Sequence, residues 1–272
     1  MNYIYDLHND YFTSIKSARV KNKYLSSAQK VAKTLATVVW TTEFDAQKSL
    51  ETIKRAKILT GERDFTFLAI EDLGFASKQS LLEIANENPK YCGLTWNYNN
   101  NLAGGALEYG DLSEFGKFAI KLFETRNICI DTAHLNEKSF MSLATITEKP
   151  MLCSHTASYF INNHPRNLKD YQIKIIADSG GIVGLSLVSE FLSGKKKSTL
   201  DDYVKHVDYL VNKFGIEHFA IGTDFYGTKH LPKGIKNYFD LEKKLTEKLT
   251  NLGYTKDDIL KLFYQNAEKF FN

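Results

Sequence analysis

Eight short apolar, β-branched runs recur along the chain, at 3–9, 37–42, 66–71, 92–96, 128–131, 151–155, 182–187 and 219–223. Their spacing averages about thirty residues, the length of one strand-plus-helix unit. Helix-period segments fill the gaps at 44–59, 113–125, 136–146, 167–178, 200–213 and 239–251, and a last one runs from Thr255 to Phe271. In 113–125 the apolar stripe is Phe115, Phe118, Ala119 and Phe123, and Thr255 with Asp258 three residues on reads as an N-cap. Strict alternation of strand and helix predicts an α/β fold with a parallel sheet. Eight such units without a dinucleotide-binding glycine fingerprint favour a (β/α)8 TIM barrel over a doubly wound sheet. No linker, low-complexity tract or composition shift divides residues 1–272, so a single domain is expected even at a length where a prior of roughly 150 residues per domain suggests two.

Composition narrows the function classes. The chain is 43% hydrophobic, enough for a large core, which excludes intrinsic disorder. No run approaches the ~18 apolar residues of a membrane span. The opening Met1-Asn2-Tyr3-Ile4-Tyr5-Asp6 lacks the basic and apolar regions of a signal peptide. Cys92, Cys129 and Cys153 are odd in number, far apart and set in apolar runs, so buried free thiols in a reducing compartment are expected, and with them a cytoplasmic protein. A net charge of +3 is no nucleic-acid signature. The densest basic run, Lys195-Lys196-Lys197, has no aromatic interleaving and reads as a solvated loop rather than a phosphate-contacting patch.

Barrels of this kind carry their chemistry at the C-terminal ends of the strands, and those ends are unusually polar here. The first reads Asp6-Leu7-His8-Asn9-Asp10, where His8 and Asp10 share one side of an extended chain. The third ends in Glu71-Asp72, the fifth in Asp131-Thr132-Ala133-His134, the sixth in Ser154-His155 and the eighth in Thr223-Asp224. Each has a plainer explanation alone. A buried His-x-Asp is more often a satisfied core histidine than a ligand, Glu71 could cap the next helix, and Asp224 could orient a turn beside Gly222 and Gly227. Six ligand-type residues on five strand ends point instead to a pair of divalent ions, for which zinc suits the mixed nitrogen and oxygen donors best. His164, His206, His218 and His230 lie off the strand ends and read as surface or helix residues.

These residues also carry a resemblance. Asp6-Leu7-His8-Asn9-Asp10 resembles the D-G-H-N-D opening of the membrane (renal) dipeptidase family, the M19 metallopeptidases of the amidohydrolase superfamily. Ile70-Glu71-Asp72-Leu73-Gly74 is similar to its glutamate loop, and Gly93-Leu94-Thr95-Trp96-Asn97 to its L-T-H/W-N segment. Ile130-Asp131-Thr132-Ala133-His134 and Ser154-His155-Thr156-Ala157 resemble its two histidine motifs, Arg166-Asn167 follows at the family's distance, and Ile221-Gly222-Thr223-Asp224-Phe225-Tyr226-Gly227 resembles G-x-D-F-D-G. Seven motifs in order are far more specific than any one.

The resemblance implies a hydrolase with two zinc ions bridged by Glu71, one held by His8, Asp10 and Asp224 and the other by His134 and His155. Water activated between the ions would attack the peptide bond of a dipeptide, the family often accepting a D-residue at the second position. Asp224 would take the proton to the leaving amine, and Arg166 would hold the substrate's carboxylate; the plainer reading of Arg166 is a surface residue at the start of the next helix. A homodimer is also implied, while the slight charge and the lack of a membrane-length apolar run leave neither membrane nor nucleic acid expected as a partner. Trp96 stands where many members place a histidine that contacts the tetrahedral intermediate, which passes that role to the metals or Asn97. Tyr226 replaces the second aspartate of G-x-D-F-D-G, and the chain is shorter than typical members. Two other classes stay open: a deoxyribonuclease on the same barrel, which would usually begin His-x-His, and a barrel that binds metal without turnover.

Overall fold

The computed structural model describes residues 3–272. Met1 and Asn2, part of the stretch read as lacking a leader pattern, lie outside the described residues. The elements run β1 (Ile4–Asp6), α1 (Tyr11–Ser14), α2 (Ala18–Ala28), β2 (Ala32–Trp40), α3 (Ala46–Gly61), β3 (Thr66–Glu71), α4 (Lys78–Asn86), β4 (Tyr91–Gly93), α5 (Glu114–Glu124), β5 (Cys129–Asp131), α6 (Glu137–Ile146) and β6 (Leu152–Thr156). Then come α7 (Asp170–Asp178), β7 (Ile182–Leu185), α8 (Ser189–Ser193), α9 (Leu200–Phe214), β8 (Phe219–Ile221), α10 (Tyr238–Asn251), α11 (Lys256–Leu260) and α12 (Asn266–Phe271). The eight strands are all parallel and close in chain order, β8 pairing back onto β1.

Strand periodicity sorts the core into two shells. On β1, β2 and β3 one alternate set, Tyr5, Leu7, Ala36, Val38, Phe67 and Ala69, fills the inside of the barrel, while Ile4, Leu35, Val39, Leu68 and Ile70 pack outward under the helices. Phe271 of α12 stacks on Tyr5 with ring centroids 6.0 Å apart and touches Phe67 at 5.6 Å, so the C-terminal helix covers the barrel's N-terminal mouth. Loops at the opposite mouth are left to build a site.

The expected elements appear with shifted edges. β2 begins at Ala32, and α1, α2, α4 and α8 occupy stretches where no helix is expected. α2 buries only Leu25 and Ala28, too little to leave a clear apolar stripe. Thr255 does cap α11, with Asp258 reciprocating, but the final helix widens into a π-helical turn over 261–265 that leaves Leu262, Phe263 and Tyr264 all buried. Glu71 caps nothing: α4 is capped by Ser77. Lys195, Lys196 and Lys197 are exposed. The cysteines are free; Cys92 and Cys153 are buried, whereas Cys129, first residue of β5, is only half-buried.

The β1–β8 seam is short, Asp6 pairing with Ile221, and the Asp6 carboxylate reinforces it. It accepts hydrogen bonds from Thr223 N (2.8 Å), Thr223 Oγ1 (2.6 Å) and Tyr238 OH (2.5 Å). Asp6→Ala strands these buried donors and should cost about 2–4 kcal/mol of stability. The check is the urea midpoint, which should fall at constant slope; an unmoved midpoint would count against the carboxylate as the fastener of the seam.

Candidate metal centre

Five of the six candidate ligands, Asp10, Glu71, His134, His155 and Asp224, line one cavity of about 710 Å³ at the C-terminal mouth, a size that suits a small ligand, and the sixth, His8, is buried within reach of four of them. His8 and Asp10 follow β1, Glu71 closes β3, His134 comes three residues after β5, His155 lies within β6, and Asp224 comes three residues after β8. Two overlapping groups result, His8 with Glu71 and His155, and His8 with Asp10 and Asp224. Glu71 Oε1 lies 2.7 Å from His134 Nε2, 3.7 Å from His155 Nε2 and 3.8 Å from His8 Nε2. His8 Nε2 is 3.5 Å from Asp10 Oδ2.

Two candidate ligands sit on left-handed backbone, His134 at φ 70° and Asp224 at φ 58°. This conformation is costly away from glycine, and side chains in it tend to be held there for function. Asp224 is held by its amide donating to His8 O (2.9 Å), His134 by its carbonyl accepting from Ala106 N (2.8 Å). Gly227 leaves space for the Asp224 and Asp10 carboxylates: a Cβ there would lie 2.0 Å from Asp224 Oδ1 and 2.3 Å from Asp10 Oδ2.

Hydrogen bonds on the outer nitrogens orient all three rings. His134 Nδ1 donates to Asn97 Oδ1 (2.9 Å), and His155 Nδ1 donates to Ser154 Oγ (2.9 Å), whose own proton goes to Asp131 Oδ2 (2.5 Å). His8 Nδ1 faces Tyr91 OH (3.1 Å), and that hydroxyl donates to Leu7 O (2.8 Å). Every Nε2 is thereby turned to the centre, the arrangement a metal-binding imidazole requires.

Electrostatics explain why this packing needs a cation. Burial pushes the Glu71 carboxyl far up, and Asp10 and Asp224 add to the shift against the pull of His8 and Arg166. Burial likewise raises Asp224, to about 8, with Asp10 repelling and His8 and Arg166 opposing. Burial works against charge on His8, but Glu71, Asp10 and Asp224 overcome it and carry that ring to about 10. His134 and His155 are driven well down by burial and by the nearby positive charge, and stay neutral. Two neutral Nε2 acceptors, on His134 and His155, are thus only 3.0 Å apart and face Glu71 Oε1 at 2.7 and 3.7 Å. Buried Asp10 Oδ1 and His8 Nε2 have no hydrogen-bond partner among the described residues. Divalent ions fit this donor set, and their binding would displace the His8 proton.

Arg166 and Trp96 share the cavity. Arg166 is buried in the loop before α7, not on the surface at a helix start. Its Nη2 donates to His155 Nε2 (2.8 Å), its guanidinium lies 5.3 Å above the Phe191 ring, and its buried Nε has no partner among the described residues. Trp96 stacks on His134 with centroids 5.9 Å apart and meets Trp40 edge-on at 5.7 Å. Tyr226 is 45% exposed and rests edge-on against Tyr24, so it adds no carboxylate to the centre.

The remaining histidines are less peripheral than expected. His206 is on α9 but buried, accepting from Ser158 N (3.0 Å) and donating to Leu192 O (3.0 Å). His164 accepts from Arg166 N (3.2 Å), and His230 Nδ1 pairs with Glu190 Oε1 at 2.5 Å on the cavity wall. His218 is partly buried beside Gly181 O at 3.5 Å, away from the site.

Comparison with known proteins places this geometry among relatives. Residues 20–272 match the family model described as membrane dipeptidase (peptidase family M19). An uncharacterized protein of Klebsiella pneumoniae encoded in the pqqA 5′ region is 35% identical over 172 residues, 62% of this chain and 63% of that one. Dipeptidase aclJ of Aspergillus oryzae is 27% identical over 205 residues, 72% of this chain and 48% of that one. The matched region thus spans roughly half to two thirds of these curated relatives. Among solved structures, an amidohydrolase of Pseudomonas aeruginosa superposes with a TM-score of 0.86 at 20% identity, covering 99% of this chain and 95% of that one. A metallo peptidase of Rhodobacter sphaeroides, liganded with a phosphinate mimic of the dipeptide L-Ala-D-Ala, also reaches 0.86, at 18% identity, covering 99% and 98%. At these identities the solved structures speak to the fold.

Proposed function

Since the chain belongs to the membrane dipeptidase family, peptidase family M19, we propose that it is a metal-dependent dipeptidase that binds two zinc ions and cleaves the single peptide bond of its substrate. The observation that carries this reading is the convergence of three ring nitrogens on Glu71 Oε1, within 2.7–3.8 Å, in a cavity that also holds Arg166. His8, Asp10 and Asp224 would hold one ion and His134 and His155 the other, with Glu71 facing both. When bound, such ions polarise the scissile carbonyl and bring water toward ionisation at neutral pH.

The chain's own groups complete the reaction. Asp224, brought together with His8 and Asp10 at the centre, would accept a proton from the attacking water and return it to the leaving amine. Arg166 offers a buried guanidinium with a free Nε–H to the substrate's terminal carboxylate. Trp40 and Trp96 form an aromatic wall that shields the reacting bond from bulk water. The dipeptide mimic held by the Rhodobacter sphaeroides neighbour supports a small substrate, and its D-residue supports including D-residues at the second position. A cytoplasmic homodimer is the setting we propose; among the described residues no helix is long and apolar enough to cross a membrane.

The test is hydrolysis of L,L- and L,D-dipeptides and matched tripeptides by zinc-loaded and metal-free protein. Cleavage of dipeptides alone, and only with metal, is expected. Two bound ions without cleavage of any dipeptide would move the reading to another amide or an ester.

A further inference from the structure

We propose that Ser154, backed by the buried Asp131, is a positioning residue that sets the ligands of both ions through one hydroxyl. The inference rests on the two-ion reading of the same centre. Ser154 is fully buried in β6, out of reach of any substrate. Its Oγ lies 2.9 Å from His155 Nδ1 and 3.3 Å from His8 Nδ1, rings assigned to different ions, whose centroids are 3.8 Å apart.

Asp131 decides which way the hydroxyl points. Its Oδ1 accepts from the amides of Ala133 (3.0 Å) and Ser154 (2.8 Å), which locks the carboxylate, and its Oδ2 takes the Ser154 proton at 2.5 Å. The hydroxyl can then only accept from the two rings, so both must carry hydrogen on Nδ1 and present Nε2 to the centre. Other orienting groups serve one ring each. Asn97 meets His134, and Tyr91, its proton committed to Leu7 O, meets His8.

The test is calorimetric titration of metal-stripped protein with zinc, for wild type, Ser154→Ala, Asp131→Asn and Asn97→Ala. Ser154→Ala should fold, because Asp131 keeps both amide donors. Wild type should bind two ions, Ser154→Ala should weaken both by about ten- to hundredfold, and Asn97→Ala should weaken one. Asp131→Asn keeps every heavy atom but can donate to Ser154 Oγ, turning the hydroxyl toward the rings, and should reproduce the Ser154→Ala pattern. Ring 15N shifts of His155 in the metal-free protein should pass from a single Nδ1–H tautomer to a mixture in both variants, a change that loss of packing alone would not produce. Two ions at wild-type affinity in Ser154→Ala, or weakening of one alone, overturns the shared-hydroxyl role and leaves the two-ion reading standing. Fewer than two ions in wild type overturns both.

Discussion

Glu71→Gln is expected to abolish zinc-dependent hydrolysis while leaving the metal-free protein at least as stable as wild type. The two halves of this result come from one cause. Glu71 is buried beside Asp10 and Asp224, and burial with their repulsion pushes its carboxyl far above the usual range. A carboxamide of the same shape cannot ionise and so escapes the cost of burying a carboxyl there, and the metal-free thermal midpoint should hold or rise, as when a strained functional site is relaxed. With zinc present the ordering reverses. An ion bound only by the folded state adds about 2.7 kcal/mol at a hundredfold excess over its Kd, so the wild-type midpoint should climb on loading. The variant, lacking the anion that faces His8, His134 and His155 at 2.7–3.8 Å, should lose at least one ion and most of that climb. Turnover should drop by at least about a hundredfold, the scale of removing one strong electrostatic contact to a reacting group. Retention of two tightly bound ions would show that Glu71 does not bridge them.

How far the site could be read from sequence depended on whether a residue's role is local. Each candidate ligand lies at a strand's C-terminal end, so the strand pattern and the barrel rule together point to His8, Asp10, Glu71, His134, His155 and Asp224. Their orienting partners are another matter. Tyr91 reaches His8 across 83 residues, and Asp131 reaches Ser154 across 23. No spacing rule links such pairs, although Asp131 and Ser154 each sit inside a motif that also holds a candidate ligand. His206 resembles any polar position on α9, and only the packing of α8 and the loop after β6 against that helix reveals a satisfied, buried ring. α8 itself has five residues, too few to show a period. The early start of β2 escaped because Lys33 is exposed and Thr34 half-buried, which breaks the apolar run that marks the rest of the strand.

Arg166→Ala separates substrate recognition from metal binding. In the structure the guanidinium donates to His155 Nε2, the lone pair an ion would use. Its removal should therefore leave zinc affinity unchanged or slightly higher, opposite to Glu71→Gln. Dipeptide hydrolysis should suffer through KM. Losing one partner of a buried, hydrogen-bonded charge pair costs about 2–5 kcal/mol, roughly 30- to 5000-fold in kcat/KM. Arg166→Lys should recover only part of this, because an ammonium lacks the planar fork and cannot stack over Phe191 in the same way. The substrate provides the matching deletion. A dipeptide whose carboxylate is capped as an amide should be a poor substrate for wild type, and the two substrates should become nearly equivalent in Arg166→Ala. Tripeptides place the carboxylate about 3.5 Å further along the chain, so wild type should discriminate against them and the variant much less. Should the amide penalty persist undiminished in the variant, the carboxylate must be held by some other group, and the limit to two residues would need a steric origin in the walls formed by Trp40, Trp96 and Phe191.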